Sequence, residues 1–272
     1  MAEQMRKINI IPKAIILETE GRNTAPAIAL GAIKALEEDE DSLILVLSAD
    51  HVINEVDKFH EALKIGFKYA IEDNLVTFGI VPNKPETGYG YIESELSLDQ
   101  NKKKGYKIKK FIEKPNLELA KKFLKSNNYT WNSGMFIFKT KVLINELEKH
   151  APKVLIQCKE SMNNSKKDLD FIRINKLSFS KAPKIPIDIA VMENTKNGVV
   201  IPLNAGWSDI GSWKSLWEIE KKDSFCNVIK GKVLNDGSEN CYIQSEERLL
   251  VTLGLKDLIV VDTPDATLVS NK

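Results

Sequence analysis

Leu43-Ile44-Leu45-Val46-Leu47-Ser48-Ala49-Asp50-His51 is an apolar run of strand length that ends on a carboxylate and an imidazole. An unbroken apolar run of this kind is typical of a parallel strand covered on both faces. The flanking segments continue the pattern. Downstream, Phe59, Leu63, Phe67 and Ala70 fall on one stripe of a helix over 59–71, and 76–81 is the next strand. Upstream, Ala14-Ile15-Ile16-Leu17 has strand character. It is followed by a helix over 27–38, with Pro26 in its first turn and Thr24 or Ala25 as the cap. Strand, helix, strand, helix, strand predicts a doubly wound α/β sheet. Ligands of such sheets lie beyond the carboxyl ends of the strands, where Asp50 is placed.

Two other stretches set polar groups against buried ones. In Thr130-Trp131-Asn132-Ser133-Gly134-Met135-Phe136-Ile137-Phe138 a small polar turn runs into an apolar strand, putting an amide and a hydroxyl at its mouth. Ala205-Gly206-Trp207-Ser208-Asp209-Ile210-Gly211-Ser212-Trp213 is a Gly-punctuated loop with a second carboxylate. Between the first two stretches, Glu86-Thr87-Gly88-Tyr89-Gly90-Tyr91-Ile92 opens a hairpin that turns over 98–105 and returns through Ile108 to Phe111. Asn116 caps a helix to about residue 125. Two or three helices are expected over 141–174, a short helix over 186–193, a strand over 199–202 and a helix over 212–220. From Asn227 onward the texture changes to short strands separated by Gly, Asp and Asn. That predicts a small β-rich appendage over 223–272, like the start of a β-helix, behind an α/β domain over 1–222.

Charge excludes some functions. Lys and Arg number 39 against 38 Asp and Glu among the 272 residues, so no overall field draws nucleic acid to the chain. The run Lys102-Lys103-Lys104 is a local basic patch, either a solvated hairpin tip or a phosphate-steering group. No apolar run approaches the roughly 20 residues of a membrane span, and the N-terminus lacks a signal-peptide core. Three distant cysteines, Cys158, Cys226 and Cys241, form no C-x-x-C pair, which points to a reducing cytoplasm. The histidines lack zinc spacing.

Asp50 and Asp209 are the paired carboxylates. Magnesium takes hard oxygen ligands, often one or two carboxylates together with substrate phosphates. An aspartate after a strand is also a common cap or turn former. His51 has no Ser or Cys nucleophile beside it and reads as a polar side chain bonding a neighbouring loop. In Glu113-Lys114-Pro115 the carboxylate suits hydroxyl groups and the ammonium a phosphate, although a strand-end salt bridge has the same sequence. Gly88 and Gly90 flank Tyr89, which allows backbone to approach a ligand or forms a tight turn. Arg22-Asn23-Thr24 opens a helix, where an amide can read a base edge and the helix start favours an anion, or where the residues only cap. Trp207, Trp213 and Trp217 are expected to pack in a core or lid.

Six of these stretches, in this order, resemble the mannose-1-phosphate guanylyltransferases, a family of nucleotidyltransferases. They are Gly21-Arg22-Asn23-Thr24-Ala25-Pro26-Ala27, Leu47-Ser48-Ala49-Asp50-His51 and Pro85-Glu86-Thr87-Gly88-Tyr89-Gly90-Tyr91-Ile92. Phe111-Ile112-Glu113-Lys114-Pro115, Trp131-Asn132-Ser133-Gly134-Met135-Phe136 and Gly206-Trp207-Ser208-Asp209-Ile210-Gly211-Ser212-Trp213 complete the set. The resemblance implies a Rossmann-like nucleotidyltransferase sheet and GDP-mannose formation from GTP and mannose 1-phosphate, for polysaccharide biosynthesis. It implies Asp50 and Asp209 as Mg2+ ligands and Arg22, Asn23 and Thr24 beside the nucleotide. It places Gly88, Glu113 and Asn132 on the sugar hydroxyls and Lys114 on the sugar phosphate, with Asp50, Lys114 and Asp209 carrying the catalysis.

The match has departures. Glu18-Thr19 stands where the family usually has Glu-Pro, and Pro186-Ile187-Asp188-Ile189-Ala190-Val191-Met192 keeps the Asp but not the usual Ser and Tyr. The family's G-G-x-G-x-R loop, which wraps the triphosphate, and its first strand have no counterpart in these 272 residues. The resemblance therefore implies a sheet incomplete at its N-terminus and little activity of this chain by itself. It leaves open a separate N-terminal fragment and a homo-oligomer as partners. The alternative is a catalytically inactive piece, or a sugar-phosphate-binding assembly module.

Overall fold

The computed structural model describes residues 2–99 and 102–272, and they form two compact units. One contains the residues up to Ser48 together with Glu55–Ala205; the other contains Ala49–Asn54 with Gly206–Lys272. Gln100 and Asn101, in the expected 98–105 turn, lie outside the described residues.

The first unit opens with α1 (Ala2–Lys7), β1 (Ile15–Leu17), α2 (Thr24–Leu36) and β2 (Leu43–Val46). β3 (Val52–Ile53) belongs to the second unit. α3 (Val56–Ile71), β4 (Leu75–Ile80), β5 (Tyr91–Ser94), β6 (Tyr106–Ile112), α4 (Leu117–Leu124) and β7 (Tyr129–Lys139) follow. Then come α5 (Thr140–His150), α6 (Pro152–Asn163), β8 (Lys166–Asp168), β9 (Phe171–Arg173), α7 (Lys176–Phe179), a single π-turn (Asp188–Met192) and β10 (Gly198–Leu203).

The main sheet has the order β2-β7-β4-β10-β6-β5, and the first residues of β7 pair with β5 as well. β7 is the hub. Its C-terminal half carries β2 on one edge, and its length carries β4 on the other. Phe136 and Phe138 turn to one face, where they join Leu30 of α2, Leu143 and Leu147 of α5 and Leu155 of α6 in the main core. On the opposite face α3 lies across β4, β7 and β10, with Phe59 edge-on to Phe78 at 5.8 Å. Helices therefore cover both faces, as the strand-helix rhythm predicts.

β2 differs from its expected form. It pairs antiparallel with β7 and its residues are half-buried, whereas a parallel, fully covered strand was the expectation. An apolar run reports burial preference but not the direction of the neighbour. Residues 166–173, expected to be helical, form the short hairpin β8–β9, and β9 continues into a parallel pair with β1. Asn116 caps α4 as expected, its side chain accepting from the Leu119 N–H at 2.9 Å. The basic tip is largely paired: Lys103 bonds Glu61 at 2.7 Å, and Lys104 lies over the Tyr106 ring.

The second unit contains β11 (Trp207–Ser208), which pairs antiparallel with β3, and then α8 (Trp213–Ile219). β12 (Val228–Asp236), β13 (Tyr242–Leu253) and β14 (Leu258–Asp262) run parallel, and β15 (Thr267–Asn271) returns antiparallel on β14. Tyr242, Ile259 and Val261 pack under Leu216 and Trp217 of α8, while Ile243 and Val260 fill a second cluster with Cys241. The sheet is covered on both faces only around Cys241–Ile243 and Ile259–Val261, while Leu249, Val251 and Leu253 of β13 stay exposed. All three cysteines are unbridged. No helix among the described residues is long and apolar enough to cross a membrane.

Candidate active site

Asn132, Ser133 and Gly134 do not precede the strand as a turn. They lie within β7 as a bulge. Thr77 faces Phe136 and Gly79 faces Asn132, so β7 spends four residues where β4 spends two. Gly134 supplies the turn with φ 68°, a conformation costly for residues with a Cβ. The bulge is bonded internally. The Ser133 hydroxyl donates to the Phe78 carbonyl at 2.6 Å, and the Gly134 N–H donates to Asn132 Oδ1 at 3.2 Å. Bulges of this kind re-aim side chains beside active sites.

The re-aimed Asn132 lines a cavity of about 120 Å3 with Gly90, Glu113, Asp188 and Glu193. They come from four places in the chain, with Asp188 and Glu193 sharing one. Gly90 precedes β5, and its carbonyl accepts from the Asn132 N–H at 2.8 Å. Glu113 follows β6 and stands 3.5 Å from the Lys114 ammonium. Lys114 has φ 41°, strained for a non-glycine residue. Asp188 opens the π-turn, in which the Glu193 N–H donates to the Asp188 carbonyl at 2.8 Å. Single π-turns recur at functional sites because they displace a side chain from helical register. Asn132 Nδ2 donates to Asp188 Oδ1 at 2.7 Å.

Acidic neighbours around one small cavity disfavour the charge of Asp188 and Glu193. Burial pushes the Asp188 carboxyl up; the Asn132 amide pulls it down, and Glu113 raises it further. Burial also raises Glu193, with Asp188 and Glu113 adding to the shift. Such a cavity accepts hydrogen bonds from neutral hydroxyl donors and repels phosphate.

Arg22, Asn23 and Thr24 have structural partners. Asn23 is the cap of α2, with φ 68° and its side chain accepting from the Thr24 N–H. The cap was expected at Thr24 or Ala25. Arg22 Nη1 donates to the Ala182 carbonyl at 3.2 Å, and a second nitrogen meets Glu20 at 3.0 Å. The Ala25 N–H donates to the Ile185 carbonyl at 3.1 Å, and Thr24 Oγ1 accepts from the Ile187 N–H at 2.9 Å. The start of α2 therefore clamps the segment that delivers Asp188.

Asp50 and Asp209 both lie in the second unit. β3 and β11 bring them together, because Ser208 pairs with Val52 and the aspartates flank that pair. Both carboxylates act on His51, whose pKa is nevertheless lowered because burial outweighs them. The His51 ring meets Trp207 edge-on at 5.1 Å, and its Nδ1 is buried without a hydrogen-bond partner. The loop bond expected for His51 at that atom is therefore not made. Two hard oxygen donors at solvent-accessible loop positions fit magnesium, which needs few protein ligands when phosphates complete its shell. Among the described residues no cluster of three or more acidic, His or Cys side chains could hold a metal unaided. Of the tryptophans, Trp213 packs against Tyr242 at 5.6 Å, and Trp217 donates to the Cys226 carbonyl under Lys222.

The structure thus gathers Glu113 and Asn132 at one cavity and Asp50 and Asp209 at one loop pair. Gly88 is not in the cavity wall; it donates to Glu86 Oε1 at 3.1 Å while Gly90 forms the wall. Asp188 and Glu193 are wall residues that no local spacing marked out.

The family model for nucleotidyl transferases matches residues 1–224, and that for the mannose-phosphate isomerase/GMP-like β-helix domain matches 231–272. Mannose-1-phosphate guanylyltransferases of Klebsiella pneumoniae and Salmonella montevideo are 47% and 49% identical across all of this chain, which spans 58% of their length. A crystal structure from Thermus thermophilus, described as a mannose-1-phosphate geranyltransferase, superposes with a TM-score of 0.83 at 28% identity. It covers 99% of this chain and 76% of its own. A mannose-6-phosphate isomerase from Helicobacter pylori gives 0.66 at 35% identity, over 76% of this chain and 79% of its own.

Proposed function

The chain belongs to the nucleotidyltransferase family, and from that membership we propose that it serves guanylyl transfer from GTP to mannose 1-phosphate, giving GDP-mannose and pyrophosphate. The observation that carries this reading is the acid-lined cavity in which Asn132 is held against Gly90, Glu113 and Asp188. It offers acceptors for sugar hydroxyls and no cation for a phosphate, while the Lys114 ammonium stands just beyond Glu113. Relatives nearly half identical along the whole chain carry the corresponding name.

The residues then divide the work. Glu113 and Asn132, with Gly90 beside them in the wall, hold the sugar hydroxyls, and Gly88 serves the turn behind them. Lys114 takes the sugar phosphate, and Arg22, Asn23 and Thr24 border the nucleotide. A phosphate oxygen of mannose 1-phosphate attacks the α-phosphorus of GTP in line, and pyrophosphate leaves with its electron pair. Asp50 and Asp209 would hold Mg2+, which when bound offsets the charge on the phosphates. The unbridged cysteines suit a reducing cytoplasm.

The test is pyrophosphorolysis of GDP-mannose with magnesium, run with the chain alone and with an added N-terminal fragment bearing the Gly-rich triphosphate loop. GTP formation in either arm, lost in Asp209→Asn, supports the reading; formation only in the second arm makes the enzyme a split one. No turnover in both arms from a folded sample that also fails to bind mannose 1-phosphate overturns it.

A further inference from the structure

We infer that Asp188 is a positioning residue, whose carboxylate fixes the Asn132 amide in the one orientation that serves the sugar. The inference rests on the guanylyl-transfer reading of this cavity. A side-chain amide has two donors on nitrogen and two acceptor sites on oxygen, and a half-turn about its last bond exchanges them. Asn132 is held against that half-turn at both ends. Nδ2 donates to Asp188 at 2.7 Å, and Oδ1 accepts from the Gly134 N–H at 3.2 Å. One N–H and one acceptor site remain for a ligand, in fixed relative positions. That is a donor-acceptor pair for hydroxyl groups, beside the Glu113 carboxylate.

Of the two holds, the Asp188 bond is the shorter and is charge-assisted, so it dominates. An ionised carboxylate only accepts and cannot bond an inverted amide, whereas Gly134 alone would give a long, neutral bond. The carboxylate is held from its own side too. It starts the π-turn, and residues 185–187 just before it are tied to the first turn of α2 through Ala25 and Thr24. The charged or titratable groups that act on Asp188 are Glu113 and Glu193, both acidic. Neither can replace it as a partner without moving its own carboxylate. Thr24 thereby gains a role toward the sugar as well, through the clamp it sets with Ala25 ahead of Asp188.

The experiment uses the full chain and measures mannose 1-phosphate binding by calorimetry for wild type, Asn132→Ala, Asp188→Asn and the double variant. Asp188→Asn keeps the shape and, if folding needs it, replaces the harsher Asp188→Ala. The expectation is an affinity loss of about tenfold or more for each single variant, with the double variant no worse than Asn132→Ala. GTP binding stays within about twofold in all of them. The second readout is the Asn132 side-chain amide in a 15N NMR spectrum. In wild type one of its protons is shifted downfield with a small temperature coefficient, and Asp188→Asn moves it upfield, because an amide oxygen accepts only a neutral, weaker bond and no longer excludes the inverted amide. An unchanged Asn132 amide signal in Asp188→Asn overturns the inference, as does full sugar-phosphate affinity in that variant while Asn132→Ala loses it. If Asn132→Ala itself leaves the affinity intact, the reading of the cavity as the sugar site falls first and takes the inference with it.

Discussion

Gly90→Ala separates what the cavity does for stability from what it does for binding. A Cβ on Gly90 would lie 2.9 Å from Glu113 Oε2, 3.6 Å from Asn132 Cβ and 3.9 Å from the Ile112 carbonyl. Only the first of these is too close. Ordinary contact begins at 3.4 Å, so the Glu113 carboxylate must retreat by about half an ångström. Its side chain is 60% exposed and ends a flexible stem, so it can move without disturbing the backbone. The cost to the fold is then a rotamer adjustment of order 0.5–1.5 kcal/mol. Loss of unfolded-chain freedom returns about 0.4–1 kcal/mol. Stability should stay within about 1 kcal/mol of wild type.

Binding should not stay the same. A hydrogen bond to an ionised carboxylate contributes about 1.5–3 kcal/mol, and a half-ångström retreat from a hydroxyl forfeits much of it. The expected result is a loss of roughly tenfold to a hundredfold in mannose 1-phosphate affinity, with GTP affinity unchanged. Urea unfolding and calorimetric titration on the same sample give both numbers. Sugar-phosphate affinity within about twofold of wild type would remove Glu113 from its role. A stability loss above about 2 kcal/mol would show that the cavity wall is rigid and refute the argument from a soft carboxylate.

Asp209→Asn removes one of two charged oxygen donors, and turnover should fall to background; near-normal rates at limiting magnesium would disprove the metal assignment. Lys114→Ala should raise the KM for mannose 1-phosphate more than that for GTP, and an effect confined to GTP would reject its proposed partner. Because Lys114 sits at φ 41°, Lys114→Gly should bind as poorly as the Ala variant yet unfold up to about 1 kcal/mol later, and equal unfolding of the two would discount the strain. The raised Asp188 pKa has a stability consequence. The folded chain holds that proton more tightly than the unfolded chain, so stability falls as pH rises from the ordinary Asp value, about 4, through the higher folded value. Glu18 and Glu193, also raised by burial, contribute with the same sign. Asp188→Asn should therefore flatten part of the slope of urea midpoint against pH above about 4, and an undiminished slope would contradict the assignment.

Much of the fold could be foreseen because local signals agreed with tertiary ones. Asn116 before an amphipathic run, the polar turn between β5 and β6, and the β-rich texture after Asn227 each had one reasonable interpretation. Elsewhere two structures share one sequence pattern. Asn23 and Thr24 are both good caps, and only the backbone at φ 68° selects Asn23. Residues 166–173 carry too many charges for a strand stripe, and they are strands because β1 supplies a partner from the far end of the unit. In β7 the polar triplet looked like a terminus because a bulge inside a strand leaves the same polar mark.

Two residues of the cavity wall were foreseeable by type, and none of its bonds was. Glu113 and Asn132 stand out because a carboxylate and an amide border apolar strands, which needs no knowledge of the neighbour. Asp188 is marked only as an Asp the resemblance keeps, with no role attached. Its segment has an ordinary apolar pattern, and its carboxylate matters only once the π-turn and the clamp from α2 set it against Asn132. The same holds for Gly90 against Gly88: both glycines permit close approach, but only the one whose carbonyl bonds the bulged strand meets the cavity. A cavity assembled from four segments distant in sequence is specified by pairings, and pairings have no local signature. Of the residues the motifs mark, Glu113 and Asn132 line the cavity. Those that hold them in place are found only by following each polar atom to its partner.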